Sequence, residues 1–377
     1  MRNINGSISK EISSRIKIAR TICILSLIYI HSPPYNFQRS DYPLGNELII
    51  QILKYVVGHS SVPLLSIISA YLMVKFLKDK PWPNLIRSKI YTLIIPLILW
   101  NVIGLSKMAV MDKTLPNLVD LPNDLLGLTT YPAVLPLYFL RDMFVCALLF
   151  PVFFFFARKA PYLLLLGLST VAVVNWNTGI FINNQIPLFF AIGCAIALMP
   201  DAKRYEVALQ EYSTLIIPLA SCLLTLLLLY PYCFGDTFRA TESGRMIENL
   251  LLVLNRIGGS ILFWYATSML VHSKVGNKLI ELERFIFFVF CFHPFAISVV
   301  WILSQKMGAE VGNYSHLALF VLSPALVLAV SLAAVGTLLY IAPKLLGLLL
   351  GGRAPSKKQF KQLMSGPLQT EGAQKQF

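Results

Sequence analysis

The chain has 377 residues, is 56% hydrophobic and 13% charged, and carries a formal net charge of +14 at neutral pH. That apolar excess excludes a typical soluble domain and indicates a polytopic membrane protein. A positive balance would suggest nucleic acid in a soluble protein, but here the basic residues lie in short connections between apolar runs, as membrane orientation requires, so no nucleic-acid partner is expected. Cys23, Cys146, Cys194, Cys222, Cys233 and Cys291 fall in or beside apolar runs with no CxxC pair, which reads as small apolar packers and neither a disulfide framework nor a metal site.

Apolar runs of roughly 17 to 25 residues cross a ~30 Å hydrocarbon layer as helices, and about ten are predicted, making an all-α membrane bundle. They cover 16–31, 60–77, 86–107, 136–157, 161–176, 183–199, 213–232, 249–271, 284–304 and 317–341. The first follows a basic start and resembles a signal peptide, but His31-Ser32-Pro33-Pro34 offers no small-residue cleavage site, so an uncleaved helix is expected. The segment 46–57 is apolar enough to lie along the outer interface. The outer connection 108–135 is the longest loop and carries Asp112, Asp120 and Asp124. Pro63, Pro96, Pro187, Pro218, Pro294 and Pro324 fall inside spans and predict kinks and wet cavities between helices.

Lys and Arg concentrate on one side, at the N-terminus, in the connections near 78–89, 158–159, 203–204 and 274–284, and in the C-terminal tail. Both termini are therefore expected in the cytoplasm. Residues 1–345 form the predicted membrane domain, and 346–377 a polar, basic tail expected to be disordered and drawn to anionic lipid.

A titratable group inside hydrocarbon is costly and asks for a reason. In "RTICILSLIYIH", Arg20 and His31 lie three turns plus about 20° apart, hence on one helical face, separated by about 16 Å. They are expected to line one groove at two depths, Arg20 at the cytoplasmic boundary and His31 toward the outer half, unless Arg20 only snorkels and His31 only caps the helix. Lys17, Arg87, Lys89 and Arg284 fall at the same boundary and could cradle the phosphates of a nucleotide-like ligand, or serve simply as positive-inside charges. Arg141 and Asp142 open the fourth span, and Arg256 lies inside the eighth. Residues one apart on a helix do not face each other, so Arg141 is expected to find its partner on another helix or on a polar acceptor. His293, halfway along the ninth span, is a second wall of the same cavity or a core histidine; His59, His272 and His316 read as interfacial. No nucleophile elbow, Walker loop or metal-ligand cluster is present in the sequence.

The arginine, ten residues, histidine pattern resembles the signature of the acyltransferase 3 family, integral-membrane O-acyltransferases that modify bacterial polysaccharides. "LLSIISAYLM", "KIYTLIIPLILW", "LYFLRDMFVCALLFP" and "FIFFVFCFHPF" resemble further family elements in the family's order, between about Arg15 and His293. Ala70 stands in place of the usual glycine, Tyr138 in place of tryptophan, and proline directly follows His293. The resemblance implies transfer of an acyl group, acetyl or succinyl, from cytoplasmic acyl-CoA to a sugar hydroxyl of an exopolysaccharide or O-antigen at the outer face of the inner membrane. His31 is then catalytic and Arg20 binds the donor, with Lys17, Arg87, Lys89 and Arg284 on the CoA phosphates and Ser69, Tyr71, Arg141, Arg256 and His293 on the substrate side. No permanently bound cofactor is expected, and the chain should act alone or with separate polysaccharide assembly proteins. Neutral imidazole, with an ordinary pKa near 6.5, suits a general base, by direct transfer or through an acyl-imidazole. An arginine would orient the acceptor or stabilise the oxyanion, and Arg141 or Arg256 would also suit the free carboxylate of a succinyl group. A carrier or flippase for a lipid-linked glycan is the rival reading, since kinked helices lined by cations also suit transport.

Overall fold

The computed structural model describes residues 8–33, 44–77, 81–111, 113, 117–176, 178–199, 211–309 and 313–365. The basic connections at 78–80 and 203–204, and Asp112, lie outside the described residues. Among the described residues every regular element is helical.

The first helix, α1 (Lys10–His31), begins where the Ser9 side chain accepts the Ile12 N–H at 3.2 Å and ends at Ser32, whose hydroxyl donates to the Ile28 carbonyl at 2.8 Å. α2 (Leu44–Gln51) runs into a wider π-helical stretch, Ile52–Gly58, and then into α3 (Ser61–Leu77). The close fit of this stretch to α1 depends on a missing side chain: a Cβ at Gly58 would lie 2.6 Å from Ile30 Cγ1. α4 (Trp82–Lys89), a π-turn over Ile90–Ile94 and α5 (Ile95–Met111) form the next continuous rod. After the short α6 (Leu121–Leu126) come α7 (Tyr138–Leu148) and α8 (Phe150–Lys159), which meet at 63°. The sequence reads 136–157 as one span; the bend follows because Pro151 lacks an N–H and its ring crowds the preceding turn.

α9 (Pro161–Val174) and α10 (Ile186–Leu198) are short, and α10 is buried on most sides against α3, α8 and α9. α11 (Ser213–Cys233), the single turn α12 (Asp236–Arg239) and α13 (Glu242–Leu270) follow; α13 is capped by Thr241, and α14 (Lys274–Lys306) by Ser273. α15 (Tyr314–Ile341) completes the bundle. Besides a small cluster of Ala172, Leu188 and Val253 between α9, α10 and α13, two larger cores hold it together. One joins α1, α5, α14 and α15 through Cys23, Leu27, Trp100, Phe288 and Phe320; the other joins α3, α7, α8 and α10 through Met73, Cys146, Phe153 and Phe190.

Six described helical stretches are long and apolar enough to cross a membrane, seven with the bent α7–α8 pair. The sequence anticipates about ten. α1 falls outside that set because Arg15, Lys17 and Arg20 crowd its first half, and α9 and α10 because they have 14 and 13 residues.

The tail differs from expectation. α16 (Pro343–Leu349) and α17 (Lys357–Ser365) are ordered helices, with Leu346, Leu349, Leu350 and Leu363 buried. In "KKQFKQLM" the apolar residues fall three apart on one face. Phe360 occupies the space left by Gly336 and sits 6.0 Å, edge-on, from Phe285. Composition alone missed this periodicity, and residues 366–377 lie outside the described residues.

Candidate active site

The centre of the site is built around a proline. In α14 the N–H of residue 294 would donate to the Phe290 carbonyl, but Pro294 has none, leaving an acceptor orphaned inside the bundle. His293 fills the vacancy: its Nδ1 lies 2.6 Å from Phe290 O. A carbonyl can only accept, so Nδ1 holds the proton and Nε2, which has no partner, is left as a free acceptor. Across from this fixed ring stands His31 on α1, with ring centroids 5.1 Å apart and planes inclined at 49°.

His31 lines a cavity of about 330 Å³ together with His59, Tyr138, Asn183, Gln185 and Arg256. His59 follows the π-helical stretch, and its ring is edge-on to Tyr55 at 5.4 Å. It is therefore a cavity residue, not the interfacial one its sequence position suggested. Asn183 and Gln185 come from the loop before α10, and Arg256 from the middle of α13, where it donates to the Gln185 side-chain oxygen.

A second, almost wholly apolar cavity of about 390 Å³ runs between α1, α3, α10 and α13. Its polar marker is Arg15, buried at 4% exposure, which donates to Thr267 Oγ1 at 3.1 Å and to the Trp264 carbonyl at 3.2 Å while lying 4.4 Å over the Trp264 ring. Tyr71 lines this groove, and Phe189 borders both cavities.

Arg20 lines neither cavity. Arg20 and His31 both meet α14, but Arg20 meets it at Glu283, with NH1 2.6 Å from the carboxylate, while His31 meets it at His293. Around Arg20 gather Lys89 and Arg353, near enough to feel its charge. Arg353 belongs to the tail; its guanidinium lies 3.8 Å over the Phe287 ring, and it donates to the Leu350 carbonyl at 3.2 Å and to the Thr92 carbonyl. Burial pushes its pKa down to about 10, and the Arg20 charge pushes the same way while Glu283 opposes. A cation under this pressure favours an added anion. Lys17, Arg87 and Arg284 are exposed and are not drawn into this cluster by any contact.

The remaining expectations divide. Ser69 donates to Leu65 O at 2.7 Å within its own helix and lines neither cavity, whereas Ala70 packs against Gly193 of α10, where a Cβ on the glycine would collide with the α3 backbone. Arg141 does reach its neighbour, with NH1 2.8 Å from Asp142 Oδ1, and also donates to the Ile180 and Leu128 carbonyls. The argument from helical spacing fails because these residues open the first turn of α7, where the long arginine stem is free to fold back under two covering loops. Asp142, fully buried, also accepts from the Ile182 and Asn183 N–H groups at 3.1 and 2.9 Å, so the pair anchors the loop that carries Asn183 and Gln185.

Paired imidazoles and a guanidinium line a polar cavity among helices long and apolar enough to cross a membrane, the setting of a multi-pass membrane protein with a polar interior site. The profile of an acyltransferase domain matches residues 14–341, and the chain belongs to this acyltransferase 3 family. It is 27% identical over 375 residues to the succinoglycan biosynthesis protein ExoH of Rhizobium meliloti (strain 1021), covering 94% of this chain and 96% of the relative. No solved structure matches the chain. It is thus an O-acyltransferase of the inner membrane.

Proposed function

We propose that the protein transfers an acyl group from cytoplasmic acyl-CoA to a sugar hydroxyl of an exopolysaccharide, nascent or lipid-linked, with His31 as general base. The observation that carries this reading is His31 in a polar cavity deep in the bundle, facing a second imidazole whose Nδ1 is committed to Phe290 O. The family match and the similarity to a succinoglycan biosynthesis protein support the acceptor class.

In this scheme Arg20, Lys89 and Arg353 take the CoA phosphates at the cytoplasmic end, with Lys17, Arg87 and Arg284 supplying long-range attraction. The pantetheine arm lies along the apolar groove past Arg15 and Tyr71 and delivers the thioester beyond Phe189. The sugar hydroxyl oxygen attacks the thioester carbonyl carbon as its proton passes to the His31 imidazole. The tetrahedral intermediate collapses with loss of the C–S bond, and the thiolate takes the proton back from the imidazolium, giving an ester and free CoA thiol. His293, held by Phe290, positions His31. The ten-span topology with both termini cytoplasmic belongs to this proposal: α1 spans with its charged end among head groups, and α9 and α10 are short spans sheltered by neighbouring helices.

The test compares wild type with His31→Ala in purified form, measuring CoA thiol release and acylated glycan by mass spectrometry. Loss of at least about a thousandfold in transfer, with normal membrane insertion, is expected of a general base in this position. Unchanged transfer would sink the assignment.

A further inference from the structure

Arg256 is a half-buried cation with no acid in contact with it among the described residues. It projects from the middle of α13 into the His31 cavity, its one hydrogen bond goes to the neutral side chain of Gln185, and its Nε is buried with no partner. Among the described residues no Asp or Glu lines that cavity. Lys54, buried on the π-helical stretch, adds positive potential near His31 from another side. Arg141 makes the contrast: it lies on Asp142 and two backbone carbonyls, so its charge is spent on the fold.

A guanidinium taken out of water persists only if something repays its lost hydration, and a planar fork of donors fits a carboxylate best. Among the described residues no side chain supplies the anion, which leaves it to a ligand. We propose that Arg256, steadied by Gln185, is the subsite for the distal carboxylate of a dicarboxylic acyl group, such as succinyl, whose thioester carbonyl is presented to His31. This rests on the acyl-CoA reading above.

Geometry favours the acyl group over an acid on the glycan. The carbonyl must reach His31 for transfer, and in a succinyl group the far carboxylate carbon lies only about 4 Å from the carbonyl carbon by ordinary bond lengths, so both ends stay within the one small cavity. The carboxylate passes through the reaction unchanged, because only the C–S bond breaks and only the new C–O bond forms. A methyl in its place would leave the guanidinium unpaired, so the subsite discriminates against neutral acyl groups.

The experiment uses the purified full chain in nanodiscs, with acyl-free surface polysaccharide from cells lacking the protein as acceptor. Succinyl-CoA is compared with butyryl-CoA, which has the same chain length but ends in methyl, and with acetyl-CoA. Wild type should favour succinyl-CoA over butyryl-CoA by at least about a hundredfold in kcat/KM, the scale of a half-buried charged group left without its partner. Arg256→Gln should erase most of that preference and Arg256→Lys should retain part of it. The wild-type comparison stands even if a variant fails to fold.

Equal use of succinyl and butyryl donors by wild type would overturn the subsite. So would an Arg256→Gln defect that is the same for every donor and disappears when the acidic sugars of the acceptor are carboxyl-reduced, which would place the anion on the glycan. Turnover of no acyl-CoA at all by wild type would overturn the donor reading itself, and the subsite with it.

Discussion

A histidine beside a proline is held more firmly than one in a regular helix, because the missing N–H leaves a carbonyl for its ring to bond. Pro294→Ala restores that N–H, which then competes with His293 Nδ1 for Phe290 O. Transfer should fall by about tenfold, the usual scale for losing an orienting partner, while the thermal midpoint holds or rises. CoA-release kinetics beside a melting curve separate the two effects; an unchanged rate would reduce His293 to packing. Asp142 predicts the opposite pattern. Asp142→Ala strands Arg141 and releases two loop N–H groups, so about 3–5 kcal/mol of stability should be lost, seen as poor insertion and early unfolding in detergent. At this scale the sequence exposes what is costly: His31, His293 and Arg256 stand out as polar residues in apolar runs. It hides Arg15 and Arg353, since near a boundary a lining arginine and a snorkelling one read alike.

Helices carry these side chains to one place, and the π-helical stretch Ile52–Gly58 contributes most that periodicity cannot foresee. Widening the helix changes the phase of every later residue, so His59 faces the cavity although its place at the end of a span reads as interfacial. The stretch fits against α1 only because Gly58 has no side chain. Gly58→Ala should cost about 1–3 kcal/mol by overpacking against Ile30. A double-mutant cycle with Ile30→Ala should show the two changes partly cancelling; strict additivity would mean that α1 does not rest on Gly58. The tail teaches a related lesson. Its lysines and glutamines dominate composition, yet Phe360 and Leu363 dock α17, and the order of the segment resides in their three-residue spacing.

For the whole molecule, the division of labour between two ends follows from charge and length. Arg20, Lys89 and Arg353 gather where α1 begins its apolar run, and the imidazoles gather where it ends. α10, with 13 residues, is about 20 Å long, some 10 Å less than a hydrocarbon layer. In the proposed ten-span topology this shortness would set Asn183 and Gln185 below the membrane surface, where the packing of α10 against α3, α8 and α9 would shelter them. The sequence showed the helical class and the apolar runs, but not this shortness as an asset. It also could not show that, of the arginine and histidine sharing a helical face, only the histidine would line a cavity.

Phe189, buried at 1% exposure, is the ring that borders both cavities. An activated ester held in a wet chamber hydrolyses, and an oily passage left ajar floods. Phe189→Ala should therefore turn a synthetic catalyst into a wasteful one: free thiol accumulating with no glycan supplied, and fewer ester groups made per coenzyme consumed. Parallel assays with and without polysaccharide would read that leak directly, and a tight yield in the alanine variant would mean that water is kept out elsewhere.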